Sequence, residues 1–266
     1  MLEQASDFRD ESEALYRLLS SLRDDEFNAP TQFKQWTPND VLGHLHIWNW
    51  AANLSLTDEN GFPAFMKDVM RALEVGDLRG FERGWRKGMS GKALLEAWWE
   101  FCVPMSERFE IADPKERVKW VGPDMSVRSS ITARLMETWA HGQALYDLFG
   151  TLRADSDRIQ NIAVLGVNTF GWAYKNRGLA IPDAVPMVRL TAPSGDTWEW
   201  NAENTMDCIE GSATEFCQVV TQVRNIADTT LDVRGETATQ WMSIAQCFAG
   251  PPENPPAPGT RFARRP

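Results

Sequence analysis

Residues 35–56 read QWTPNDVLGHLHIWNWAANLSL. Thr37 is placed to cap a helix, Pro38 suits the first helical position, and Asp40 stands three residues after the cap. A long helix is therefore expected from Pro38 onward. On a wheel of about 100° per residue, His44 shares its face with Val41, Trp48 and Ala51, an apolar side that should point inward. His46 falls about 200° away, with Asn39 and Asn53, on a more polar side. His44 is the better candidate for a buried role.

The chain has only three histidines, and the third lies in METWAHGQ, residues 136–143. His141 follows Glu137 by four positions, slightly more than one helical turn, so the two side chains project from one face about 5–6 Å apart at Cβ. Arg134 and Ala144 share that face. If the two helices are neighbours in a bundle, His44, Glu137 and His141 converge in its interior, where helical bundles place carboxylate and imidazole ligands. Two neutral imidazoles and a carboxylate suit Zn²⁺ with one position left for water or substrate. Ni²⁺, Fe²⁺ or Mn²⁺ accept the same ligand types. The spacing also describes a surface ion pair or a satisfied core histidine, and it leaves those readings open.

The remaining segments frame these two helices. Phe8, Leu15, Leu18, Leu19 and Leu22 recur at helical spacing between Leu2 and Asp24. FPAFMKDVMRALEVG, residues 62–76, reads as a shorter helix leading into a Gly-rich, basic loop, LRGFERGWRKGMSG, residues 78–91. A third long helix covers 90–113, with a kink expected at Pro104. A fourth covers 129–150 and stops at Gly150, and a fifth runs from Ser156 to Arg177. At LAIPDAVPMVRLTAPSGDTWEWN, residues 179–201, prolines and apolar alternation mark a linker and a hairpin turning at PSGD. A helix through 212–225, a strand through 229–235 and a helix through 238–250 follow. The Pro-rich tail is expected to be extended, and loosely attached or disordered. The fold class is therefore mainly α: a helical bundle over 1–180, a small α+β domain over 181–250, and a tail over 251–266.

Composition narrows the partners. Among 266 residues the formal net charge is −10, so no basic field exists to replace the counterions around nucleic-acid phosphate, and small molecules are the expected ligands. Cys102, Cys208, Cys217 and Cys247 are far apart without any C-x-x-C pair, which favours reduced thiols in a cytoplasmic protein. No signal-peptide pattern opens the chain, and no apolar run approaches the roughly 20 residues that span a bilayer. A soluble, cytoplasmic monomer or homodimer is expected.

QWTPNDVLGHL resembles the W-T-x-x-[DE]-V-x-x-H-L signature of the DinB and mycothiol-dependent maleylpyruvate isomerase superfamily, and ARLMETWAHGQ resembles its R-x-x-E-x-x-x-H motif. The resemblance covers nearly the whole chain and implies a DinB-like four-helix bundle followed by a small α+β domain. It is closest to a metal-binding branch of the superfamily. It places the family's divalent-metal triad, usually zinc in the isomerases, on His44, Glu137 and His141, and assigns His46 no ligand role. Isomerases often carry an acid three residues after the second histidine; here Ala144 stands there, so a group that orients an imidazole must come from elsewhere. Arg224 is the nearest counterpart of an arginine that contributes to isomerase activity, although a charge at a helix end is an equal reading. Arg134 either holds a substrate carboxylate or forms a helical ion pair with Glu137.

The implied activity is that of a thiol-dependent isomerase or transferase acting on a small electrophilic or carboxylated molecule, with a low-molecular-weight thiol as cosubstrate. In the isomerases the thiol adds to a conjugated double bond, rotation follows, and elimination returns the thiol. Metal-assisted hydrolysis and non-catalytic metal or ligand binding are the alternatives. The second half also resembles a wyosine-base-formation-like segment, a tRNA connection that the acidic charge does not support.

Overall fold

The Thr37 cap forms as a reciprocal box: its hydroxyl accepts from the Asp40 amide at 3.2 Å, and the Asp40 carboxylate accepts from the Thr37 amide at 3.1 Å. In the computed structural model, which describes residues 1–58 and 60–263, this cap opens α2, Pro38–Thr57. Helix α1 (Glu3–Ser20) buries Phe8, Leu15 and Leu19 against α5 (Gly91–Ile111). Its entry is tied by the Leu2 amide, which donates to the Glu110 carbonyl at 3.0 Å. Helix α5 also lies along α2 and runs unbroken through Pro104. With α6 (Val127–Phe149), which ends at Gly150 in the left-handed region (φ 64°), these helices make the bundle.

Two helices lie between α2 and α5: α3, Gly61–Glu74, and α4, Leu78–Trp85. The second corrects the loop expected at 78–91. Gly80 and Gly84 within it, and Gly88 just beyond, weaken helical propensity and hide the periodicity. The helix forms because Asp77 caps it, accepting from the Gly80 amide at 2.9 Å, and because its charged residues find partners on α2. Gly43 permits this approach: a Cβ there would meet the Arg86 side chain at 2.6 Å. A two-stranded ribbon, β1 (Arg117–Val118) with β2 (Met125–Ser126), leads into α6.

The chain forms two compact units, Met1–Leu145 and Tyr146–Pro266, so the boundary expected near residue 180 falls inside the second. In that unit the expected fifth helix is two, α7 (Gln160–Asn168) and α8 (Phe170–Lys175), interrupted at Thr169. The hairpin pairs β3 (Met187–Thr191) with β4 (Thr197–Trp200) antiparallel, with Val188 opposite Trp200. A strand absent from the sequence reading, β5 (Cys208–Ser212), lies parallel to β3, and β6 (Asp232–Arg234) completes the order β4-β3-β5-β6. Its CIEGS sequence is short and contains Gly, and only its first two residues are buried, so alternation could not reveal it. Helices α9 (Ala213–Val220) and α10 (Glu236–Ile244) fall where expected.

The tail, expected to be loose, is extended but held as far as Arg261. The Asn225 amide donates to the Pro256 carbonyl at 2.8 Å, the Glu253 amide donates to Gln246 at 2.9 Å, and Arg261 donates to the Gln222 carbonyl at 2.7 Å.

Helix α7 joins this unit through Gly166, where a Cβ would meet Val220 Cγ2 at 2.8 Å and Phe216 Cε1 at 3.1 Å. Gly166→Ala should destabilise the protein by about 1–2 kcal/mol in chemical denaturation. The overpacking cost of about 1–3 kcal/mol is only partly offset by up to about 1 kcal/mol of helix propensity.

Candidate metal centre

The inward face of α2 carries His44 as the wheel requires, with Val41 and Ala51 fully buried beside it. From α6, Glu137 and His141 face it. Glu137 Oε2 lies 3.3 Å from His44 Nε2 and 3.0 Å from His141 Nε2, and the two imidazole centroids are 4.7 Å apart. The three ligand atoms all lie within 4.8 Å of one another, the group of this kind found among the described residues. Zinc–ligand distances of about 2.0–2.2 Å put tetrahedral ligand atoms roughly 3.3–3.6 Å apart. Side-chain adjustments of a few tenths of an ångström bring the two pairs to that spacing, so the residues fit a divalent cation in donor chemistry and in approach.

The electrostatics show how strongly the groups are coupled. Burial disfavours charge on His44, but hydrogen bonds with Glu137 and Glu82 outweigh it and raise its pKa to about 9. Burial likewise disfavours ionised Glu137, yet its bonds with His141 and His44 hold its carboxyl well below the ordinary range. For His141 burial prevails, and its pKa is lowered. Ligation requires an ionised carboxylate and neutral imidazoles, so a bound cation takes over the charge balance that these hydrogen bonds provide in its absence.

Four groups that the sequence reading did not single out complete the surroundings. Glu82, on α4 and 2% exposed, places Oε1 2.8 Å from His44 Nδ1. Trp36 stacks on His141 with centroids 5.3 Å apart and planes within 5°, and Phe33 meets the same ring edge-on at 5.2 Å. The Arg79 guanidinium covers the Trp36 ring at 3.8 Å. The turn that presents this aromatic wall places Lys34 and Gln35 at φ 49° and 58°, a left-handed pair closed by the Trp36 amide donating to the Phe33 carbonyl. A carboxylate between two arginines in a Gly-rich stretch was the one signal for Glu82, and it reads equally as a solvated charge run.

The remaining sequence candidates divide. Arg134, 4% exposed, sits beside the site with one terminal nitrogen 3.9 Å from Glu137 Oε1 and its guanidinium 5.3 Å from the Trp120 ring. Its Nε and other terminal nitrogen are buried with no hydrogen-bond partner among the described residues. Arg224 lies in the second unit, where it grips Asp147 with two bonds of 2.7 Å. His46 is not on a solvated face: it is 7% exposed, flanked edge-on by Trp85 at 5.1 Å and Phe101 at 5.6 Å, and its Nδ1 has no hydrogen-bond partner among the described residues. Burial lowers its pKa to about 4. The polar neighbours on its side of the wheel are themselves covered by α4 and α5, which a single-helix wheel does not contain.

The bundle and its two-histidine, one-carboxylate cluster define a DinB-like helical protein. Residues 8–146 match the family described as the mycothiol maleylpyruvate isomerase N-terminal domain, and the chain belongs to that family. It is 36% identical over 247 residues to uncharacterised proteins of two Mycobacterium tuberculosis strains, H37Rv and CDC 1551, covering 93% of this chain and 95% of each relative. Its fold is that of the crystal structures of the mycothiol-dependent maleylpyruvate isomerase and of a histidine-to-alanine mutant. Each matches with a TM-score of 0.52 at 14% identity, over 82% of this chain and 87% of the other. Among the described residues no helix is long and apolar enough to cross a membrane, and Cys102, Cys208 and Cys217 are free thiols.

The protein should bind one Zn²⁺ per chain, measured by elemental analysis after loading and desalting. His44→Ala should reduce that stoichiometry to near zero, whereas His46→Phe, which fills an aromatic niche without a ligand role, should leave it unchanged.

Proposed function

We propose that the protein is a divalent-metal enzyme, with zinc as the first candidate, that uses a low-molecular-weight thiol to isomerise or to thiolate a small electrophilic, carboxylated molecule. The observation that carries this reading is the convergence of His44, Glu137 and His141 beside a buried guanidinium with unpartnered nitrogens. Three protein ligands leave a zinc ion one open position, as in catalytic rather than structural sites. His44, Glu137 and His141 would hold the ion, and its Lewis acidity would lower the pKa of a thiol toward neutral pH.

The chain's own residues supply the rest. A buried cation without full hydrogen bonding is costly, and a ligand carboxylate answers that cost at Arg134 with charge-assisted bonds. The Phe33 and Trp36 rings exclude water from the side of His141 and offer an apolar wall to a conjugated substrate. Isomerisation would return the thiol after rotation about the transiently saturated bond, whereas transfer would retain it in the product. Mycothiol is the first thiol to test, because it is named for the enzyme that shares this fold. Arg224, held by Asp147, would act on substrate only after exchanging that partner.

Titrating the zinc-loaded protein with mycothiol, glutathione and bacillithiol in a calorimeter should show saturable binding of at least one thiol, lost in His44→Ala. Stoichiometric zinc with no thiol affinity would sink the reading. Maleate, a small dicarboxylate probe, should bind the loaded protein at least about tenfold more weakly in Arg134→Met, consistent with the loss of about 1.5–3 kcal/mol for a charged hydrogen bond.

A further inference from the structure

Ala144 stands where an orienting acid would follow His141, and the structure shows a carboxylate on the other histidine instead. We infer that Glu82 is the positioning residue of the metal centre, fixing His44 as the tautomer protonated at Nδ1 so that Nε2 presents its lone pair to the cation. The inference rests on the metal centre of the preceding reading and adds a residue that the family motifs do not contain.

Both Glu82 oxygens are engaged by donors. Oε1 accepts from Trp48 Nε1 at 3.0 Å and faces His44 Nδ1 at 2.8 Å, and Oε2 accepts from Arg79 at 3.0 Å. Indole N–H and guanidinium only donate, so they hold the carboxylate as an acceptor, and the imidazole nitrogen opposite it must carry the hydrogen. The only ring nitrogen then free for a cation is Nε2, the one that faces Glu137. A buried carboxylate with three donors is also a persistent anion, which makes the imidazole a stronger ligand.

The position of Glu82 is held from both ends. Asp77 caps α4 one turn upstream, while Arg79 reaches Asp40 at 2.8 Å and Arg83 reaches the same oxygen at 3.3 Å. Asp40 is in the first turn of α2, the helix that carries His44 and Trp48. Arg86 closes the latch by donating to the Asn39 carbonyl at 2.8 Å. His141 is held differently, by stacking on Trp36. The two imidazoles are therefore oriented by unlike means, a carboxylate for one and an aromatic plane for the other.

Two measurements test this. In zinc-loaded wild-type protein labelled with ¹⁵N-histidine, long-range ¹H–¹⁵N correlation should show His44 protonated at Nδ1 and metal-bound at Nε2; coordination through Nδ1 would overturn the inference. Chelator competition should give a zinc dissociation constant about 10–100-fold higher for Glu82→Ala than for wild type. Glu82→Gln, which keeps an oxygen for Nδ1–H, should fall between them, with all three metal-free proteins giving the same helical circular dichroism. Wild-type zinc affinity in folded Glu82→Ala would overturn the role of Glu82 alone, whereas absence of zinc binding in wild type would overturn the metal centre and this inference with it. Should Glu82→Ala not fold, the spectrum of the wild-type protein decides.

Discussion

The first unit is organised around a half-buried carboxylate held between two imidazoles. Glu137 satisfies its charge through His44 on α2 and His141 on its own helix, and the contact with His44 exists only while α2 and α6 lie side by side in one register. A charge cluster is a strict alignment device because an unpaired buried ion is far more costly than a displaced methyl group. Apolar packing along α1, α2 and α5 supplies the drive to associate; the cluster specifies which faces meet.

Around this centre the bundle departs from four plain helices. Helix α4 is short, contains two glycines, and would not persist in isolation. It is held by pairs with α2: Arg79 and Arg83 with Asp40, and Glu82 with His44 and Trp48. The same helix delivers Arg79 over Trp36, so the oriented imidazole and the aromatic wall share one support. A change in α4 would thus reach both histidines through Glu82 and Trp36.

The shared fold with an isomerase at 14% identity carries architecture and not chemistry. What this chain adds of its own is the cluster of His44, Glu137 and His141 with the buried Arg134 beside it. The second unit supplies its own core, in which a four-stranded sheet is covered by helices and Gly166 of α7 packs against Phe216 and Val220 of α9. There Arg224 and Asp147 form a bidentate pair, so a role for Arg224 in catalysis must compete with a well-formed structural contact.

Local signals made α2 and α6 legible from the chain alone: a reciprocal Thr37–Asp40 cap, a Gly150 stop, and one-face spacing of Glu137 and His141. The hairpin at PSGD was legible for the same reason, since turn chemistry and alternation act within a few residues. What depended on distant partners was hidden. Helix α4 lacks intrinsic propensity, β5 takes its identity from pairing with β3, and His46 is buried by elements a wheel cannot represent. Glu82 belongs to this group: 38 residues separate it from His44. Sequence alone determined which side chains share a helix face; tertiary structure decided which faces meet, because long-range contacts are set by the packing of whole elements and not by any local pattern.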